Sequence, residues 1–155
     1  MNLAYQEALK AYDEKEIPVG AVIVHEGRII GRGYNRTESL RDATAHAEII
    51  AMSAASSSLA SWRLTGCTLY VTLEPCLMCL GAILQSRTDM IVYGTTDPRL
   101  GAVDTNDNRG TVLNSYRRFP TVVSGILESE CRAVLKSFFQ ELRKKTKVQG
   151  PPSDT

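Results

Sequence analysis

Two short segments hold residue types that can do chemistry: His46-Ala47-Glu48 and Pro75-Cys76-Leu77-Met78-Cys79. Cys76 and Cys79 stand at i and i+3, so at a helix start both sulfurs fall on one face, close enough to share a tetrahedral ion with one outside ligand. His46 is the natural third ligand. Three protein ligands leave one coordination position for water, the arrangement of a catalytic site; a closed structural site takes four. Two thiolates and an imidazole point to zinc, which lowers the pKa of bound water from about 15.7 to about 7. Glu48, not needed as a ligand, is then the group to take that water's proton and return it to a leaving group, a role worth about 10²–10⁴ in rate. Residues two apart on an ideal helix point about 200° apart. His46 and Glu48 therefore serve one site only if it lies at the helix end.

The elements that must position these groups follow from pattern and punctuation. Leu3, Tyr5, Ala8, Leu9 and Tyr12 recur at near-helical spacing, and Pro18 ends that helix before the apolar run Val19 to Val24. Glu26-Gly27 supplies a tight turn into residues 28–34, the hairpin partner of that first strand. Thr44 or Asp42 can cap a helix from about Ala45 to Ser58, and Gly66 turns the chain into the strand Cys67 to Val71. The next helix begins at Pro75 or Cys76 and, being mostly apolar from Leu77 to Leu84, is expected to pack on both sides. Met90 to Tyr93 reads as a strand, Thr95 to Pro120 as a long polar loop, and Val122-Val123 as a last strand. Cys131, Val134, Leu135, Phe138, Phe139 and Leu142 then share one face of a final helix, opened by acids and closed by bases as its dipole favours. Alternating strands and helices with one antiparallel hairpin predict an α/β fold: three α-β-α layers around a mixed five-stranded sheet.

With 155 residues, 43% of them hydrophobic, the chain is the size of one domain, expected over residues 1–147 with a disordered tail at 148–155. A formal net charge of +1 permits a nucleic-acid partner without demanding one. No leader precedes an apolar run and no stretch of about 18 apolar residues occurs, so secretion and membrane spanning lack support and a cytoplasmic location is expected. The four cysteines are then reduced thiols. Cys67 at a strand start and Cys131 on an apolar helix face read as core thiols, and Trp62 as packing under a loop.

H-x-E followed by P-C-x-x-C is the signature of the zinc nucleobase deaminases. The runs Ile17-Pro-Val-Gly-Ala-Val22, Gly33-Tyr-Asn35, Ala43 to Ile49, Leu69 to Cys76, Met78-Cys79, Gly81-Ala82, Ser86-Arg87, Asp97 and Glu128 to Arg143 extend the match over nearly the whole chain. In these the sequence resembles the tRNA-specific adenosine deaminases. The resemblance implies the cytidine-deaminase-like fold, a homodimer, one zinc ion per subunit, and conversion of adenosine to inosine at the wobble position of a tRNA anticodon loop. By position, His46, Cys76 and Cys79 match zinc ligands, Glu48 the proton shuttle, and Asn35, Ala47 and Asp97 substrate-binding residues. The sequence departs from the family at Ala43, where proline is usual, at Val103-Asp104-Thr105, and through residues 104–120, which in the family help to receive the anticodon loop.

That last departure keeps other substrates in view: a free base or nucleoside, of guanine or cytosine type, or single-stranded DNA. A dithiol oxidoreductase also puts C-x-x-C at a helix N-terminus, but leaves His46 and Glu48 without a role. A catalytically silent subunit with a stapling zinc is the third rival, against which Glu48 argues. Plain readings stand beside the sharp ones: Asn35 as a turn residue after the hairpin, Asp97 before Pro98 as a turn initiator, Phe138 and Phe139 as core, and Arg143, Lys144, Lys145 and Lys147 as a solvated helix end.

Overall fold

The computed structural model describes residues 1–149. Helix α1 (Asn2–Asp13) leads into the hairpin β1 (Gly20–His25) and β2 (Arg28–Tyr34). Glu26 and Gly27 both have positive φ, +48° and +74°, the two-residue turn whose twist matches a hairpin. A short helix α2 (Thr37–Leu40), without sequence periodicity to announce it, precedes α3 (Ala47–Leu59), β3 (Cys67–Leu73), α4 (Leu77–Ser86) and β4 (Met90–Thr95). The expected loop of 95–120 holds a two-turn helix, α5 (Arg109–Tyr116), before β5 (Thr121–Ser124) and the final helix α6 (Glu128–Gln149). Only Val112 of α5 is buried, so no apolar stripe betrayed it. Helix α6 runs two residues into the segment expected as a disordered tail; the rest of that tail, 150–155, lies outside the described residues.

The five strands form one mixed sheet in the order β2-β1-β3-β4-β5. Strand β1 pairs antiparallel with β2 and β3, whereas β3, β4 and β5 run parallel. Two helix layers cover it. A side chain at Gly20 would strike the backbone of Ala4 and Ala8 in α1, while side chains at Gly31 and Gly33 would strike the backbone of Ala47, Ala51 and Ala55 in α3. Small residues on both partners thus bring α1 and α3 onto opposite faces at backbone contact. Helix α6 joins α1, with the Cys131 side chain against Gly94 of β4, and α4 joins α3.

The main core lies between the sheet and the α3/α4 layer: Ala21, Ile23, Leu69, Val71, Ile91 and Tyr93 meet Ala47, Ala51, Leu80 and Ile83. Leu69, Leu80, Ile83 and Ile91 are fully buried, each contributing about 1.5–3 kcal/mol by leaving water. Helix α4 packs on one side only, contrary to its composition: Cys79, Leu80, Ile83 and Ser86 are buried, but Leu77 is 64% exposed and Met78 lies open beside it. Trp62 is likewise exposed, its ring flanked by the guanidinium groups of Arg63 and Arg87 instead of covered by a loop. On α6 the apolar stripe is buried at Cys131 and Val134 and opens to solvent by Leu142. Cys67 and Cys131 are buried thiols, as expected. Among the described residues, no helix is long and apolar enough to cross a membrane.

Candidate metal centre and base cavity

The two motifs meet because each places a residue at the N-cap of a helix. His46 caps α3 with extended backbone (φ −74°, ψ 153°), and Cys76 caps α4 in the same way (φ −75°, ψ 173°). Both helices therefore start later than the sequence suggests. Asp42 does not cap α3 but binds Thr44, accepting from its backbone N–H at 2.8 Å and its hydroxyl at 2.7 Å. The angular conflict between His46 and Glu48 disappears with this shift, since the histidine precedes the helix and only Glu48 obeys helical geometry. Cys79 sits in the first turn of α4, beside the cap residue three positions earlier.

His46 Nδ1 lies 3.6 Å from Cys76 Sγ and 3.5 Å from Cys79 Sγ, and the three candidate ligand atoms lie within 4.8 Å of one another. With Zn–N of about 2.0–2.1 Å and Zn–S of about 2.3 Å, a tetrahedral ion needs nitrogen–sulfur edges of about 3.6 Å. The donor set fits. Cys67 and Cys131 stand outside this group, so three donors leave the fourth direction to the cavity.

The same cluster perturbs its own protonation. The Cys76 thiol is pulled down to about 4, chiefly by the hydrogen bond with Cys79 and against burial, with His46 adding to the effect. Cys79 is pushed up, by that bond and by burial. His46 is raised, chiefly by its bond with Cys76. Glu48 is 4% exposed, and burial pushes its carboxyl up to about 7. A carboxyl balanced near neutrality can both take and give a proton, the property required of an acid–base shuttle.

His46, Glu48 and Cys76 open into a cavity of about 750 Å³, walled by Ile17 and Val19 ahead of β1, by Leu73 at the end of β3, by the 95–100 segment and by α6. Asn35, Ala47 and Asp97 all line it. Asn35 is nearly buried, and its backbone N–H is bonded to the Val19 carbonyl at 3.0 Å. Ala47 is the first residue of α3, where backbone N–H groups have no partner within the helix. Asp97 Oδ1 accepts from the N–H groups of Arg99 and Leu100 at 3.0 and 3.1 Å, so the turn-initiating reading of this residue holds. Phe139, expected in the core, stands at the cavity wall instead, with Arg132 and Lys136 of the same helix. Sequence reasoning missed Glu74, a buried carboxylate on the wall directly after β3; its signals were an acid between an apolar strand and Pro75, and its place in the family-matching run Leu69 to Cys76, neither of which says what it touches. A second cavity of about 420 Å³, between Trp62, Tyr116 and Arg118, contains none of the candidate residues.

Residues 1–95 match the model of the cytidine and deoxycytidylate deaminase zinc-binding region, which sets the class. The tRNA-specific adenosine deaminase of Bacillus subtilis is 45% identical over 153 residues, covering 96% of this chain and 91% of that protein. A solved structure from work on A-to-I editing by tRNA:A34 deaminases at the wobble position of transfer RNA superposes with a TM-score of 0.82 at 45% identity, over 86% of this chain and 96% of that one. The chloroplastic tRNA(adenine(34)) deaminase of Arabidopsis thaliana is also 45% identical, but this chain spans only 12% of its length. The chain belongs to the tRNA-specific adenosine deaminases, a branch of the cytidine and deoxycytidylate deaminases.

Proposed function

We propose that this protein is a zinc-dependent hydrolytic deaminase that converts adenosine to inosine at the wobble position of a tRNA anticodon. The observation that carries the reading is the His46, Cys76 and Cys79 cluster at tetrahedral spacing with the buried carboxyl of Glu48 in one cavity. A relative named as a tRNA(adenine(34)) deaminase and a solved structure from work on tRNA:A34 deaminases support the substrate.

His46, Cys76 and Cys79 would hold a zinc ion, which would supply an acidified water as the nucleophile for C6 of adenine. Glu48 takes a proton from that water and places it on ring N1. A second proton passes through Glu48 to the amino nitrogen, the C6–N bond breaks, and ammonia leaves as the C6–O bond becomes the inosine carbonyl. Asn35 and the unpartnered N–H of Ala47 hold the base edge, and the turn set by Asp97 closes the wall beside it. An anticodon base is already unpaired, so bringing it into the cavity costs little.

We further assign one zinc per chain, held within a single catalytic domain of residues 1–147, and a homodimer. Exposed Leu77, Met78, Leu113 and Tyr116 on α4 and α5 give such an assembly apolar surface to bury. We place the protein in the cytoplasm, where thiols are kept reduced and tRNA is at hand. The test is to incubate zinc-loaded protein, with a Glu48→Ala control, separately with anticodon stem-loop RNA, single-stranded DNA, and free bases and nucleosides, measuring ammonia and product mass. Inosine in the stem-loop alone is the expected result; ammonia from a small base or from DNA, with the stem-loop untouched, overturns the tRNA assignment and keeps the deaminase.

A further inference from the structure

Glu74 directly precedes Pro75-Cys76, is 2% exposed, and takes no part in the chemistry just described. A buried carboxylate is costly unless its oxygens are satisfied, so its partners indicate its purpose. One oxygen, Oε1, accepts from the backbone N–H of Thr105 at 3.2 Å and from the Thr105 hydroxyl at 2.9 Å. The other, Oε2, has no hydrogen-bond partner and is seated under Gly101: a Cβ on that glycine would lie 1.5 Å from it. The same Cβ would lie 2.6 Å from the Asp97 carbonyl, so Gly101 is the position where the loop can close over the carboxylate only without a side chain.

Backbone contacts run through the same place. Gly101 forms an isolated antiparallel bridge with Cys76, the Ala102 N–H donates to the Pro75 carbonyl at 2.9 Å, and the Glu74 N–H donates to the Thr95 carbonyl at 2.8 Å. The loop anchored here is the one whose residues 95–100 line the base cavity. One short stretch, 74–76, therefore carries a candidate metal ligand at one end and the dock for the opposing wall at the other.

We propose that Glu74 is a positioning residue for the deamination: its carboxylate, bonded to Thr105 and seated under Gly101, registers the 97–105 loop, whose residues 97–100 wall the cavity, against the Cys76 segment. The proposal rests on the deaminase reading above for its kinetic readout. Losing the strut frees the wall while the metal ligands stay on α3 and α4, so substrate binding suffers more than the chemical step. Glutamine keeps the shape and an acceptor for Thr105.

The experiment compares Glu74→Ala, Glu74→Gln, Gly101→Ala and the double variant Glu74→Ala/Gly101→Ala as zinc-loaded full-length proteins, on whichever substrate of the panel above the parent turns over. Zinc content, kcat and KM are measured, together with hydrogen exchange of the 97–106 segment by mass spectrometry, which reads docking whether or not tRNA is the substrate. The expected result is a tenfold or larger rise in KM for Glu74→Ala, kcat within threefold, zinc content unchanged, and at least tenfold faster exchange in 97–106. Glu74→Gln should stay within threefold of the parent, and the double variant should lose less than the product of the single losses, because the two sites share one contact. KM and exchange unchanged in Glu74→Ala, loss of zinc as its sole effect, failure of glutamine to rescue, or strictly multiplicative losses would each overturn the proposal.

Discussion

The floor and the outer wall of the cavity are built on opposite plans. The floor, His46, Glu48 and Cys76 with Cys79 beneath them, stands at the N-terminal ends of two helices whose inner faces are part of the main core, with Ala51, Leu80 and Ile83 fully buried behind it. The outer wall, residues 95–100, opens a segment that is largely exposed as far as Pro120 apart from the buried Gly101-Ala102-Val103, and that is held in good part by side-chain bonds: Asp97 to its own turn, Asn106 to the Gly101 carbonyl at 2.9 Å, Asn108 to the Ala102 carbonyl at 3.1 Å, and Asp104 to Arg109 at 2.8 Å and to the Tyr93 hydroxyl. Moving the floor means opening the core; altering the wall means exchanging one polar contact at a time. The proposed chemistry, which tolerates little displacement, falls on the first, and the proposed substrate recognition, which must suit a particular partner, on the second.

The sharpest test of that division is Glu48→Ala. Turnover should fall by at least about 10²–10⁴ while zinc content and melting temperature hold, because only the proton shuttle is removed. Next comes removal of the ion. Chelation, or Cys79→Ser, should abolish activity, and chelation should expose one thiol to titration in the native protein, that of Cys76, which is half-buried and pulled down to about 4, whereas Cys79 is fully buried and pushed up. Cys67 and Cys131 should stay silent until unfolding, since burial raises both and pushes Cys131 up to about 11. Four reactive thiols in the native chelated protein would erase the contrast between floor and core. Asn35→Ala lies between the two regions, and its cost should appear as a roughly tenfold KM increase with little change in kcat, as expected for one lost hydrogen bond of about 1.5 kcal/mol.

The smallest effect belongs to the wall. Burial acts to raise the Asp104 carboxyl, but hydrogen bonds from Arg109 and Tyr93 outweigh it and hold the group below its ordinary 3.8. A carboxyl lowered in the folded state adds stability above its unfolded value and loses it as pH falls through the folded one. Both partners of the Asp104–Arg109 pair are more than a third exposed, so screening keeps that contribution below about 1 kcal/mol. Thermal melts of Asp104→Asn and the parent should differ by a few degrees at pH 7 and converge at an acid pH below the lowered folded-state value. A gap of equal size at both pH values would mean that the side chain acts through packing.

The cavity residues differ in how far they could be read in advance. His46, Glu48, Cys76 and Cys79 were legible because metal ligation and proton transfer demand particular side chains at fixed spacings, and few sequences meet both demands by chance. Asn35, Ala47 and Asp97 were legible only through family resemblance, since asparagine, alanine and aspartate near turns have many plain uses. Glu74 was not legible: a glutamate before a proline says nothing of a glycine 27 residues on. Helix α5 escaped for a related reason, as an exposed two-turn helix needs no apolar repeat.

By itself the sequence determined the strands and long helices, whose hydrophobic periods are local and strong, and it singled out the candidate reacting groups, whose side-chain types are a matter of chemistry. Only the tertiary structure decided that His46 and Cys76 are N-caps and not helical residues, a shift of one or two positions that propensity does not resolve but ligand geometry requires. It also decided which parts of the last helix and of the 95–105 loop face the cavity. Those facts depend on contacts between residues far apart in the chain, and such contacts leave no period in the sequence.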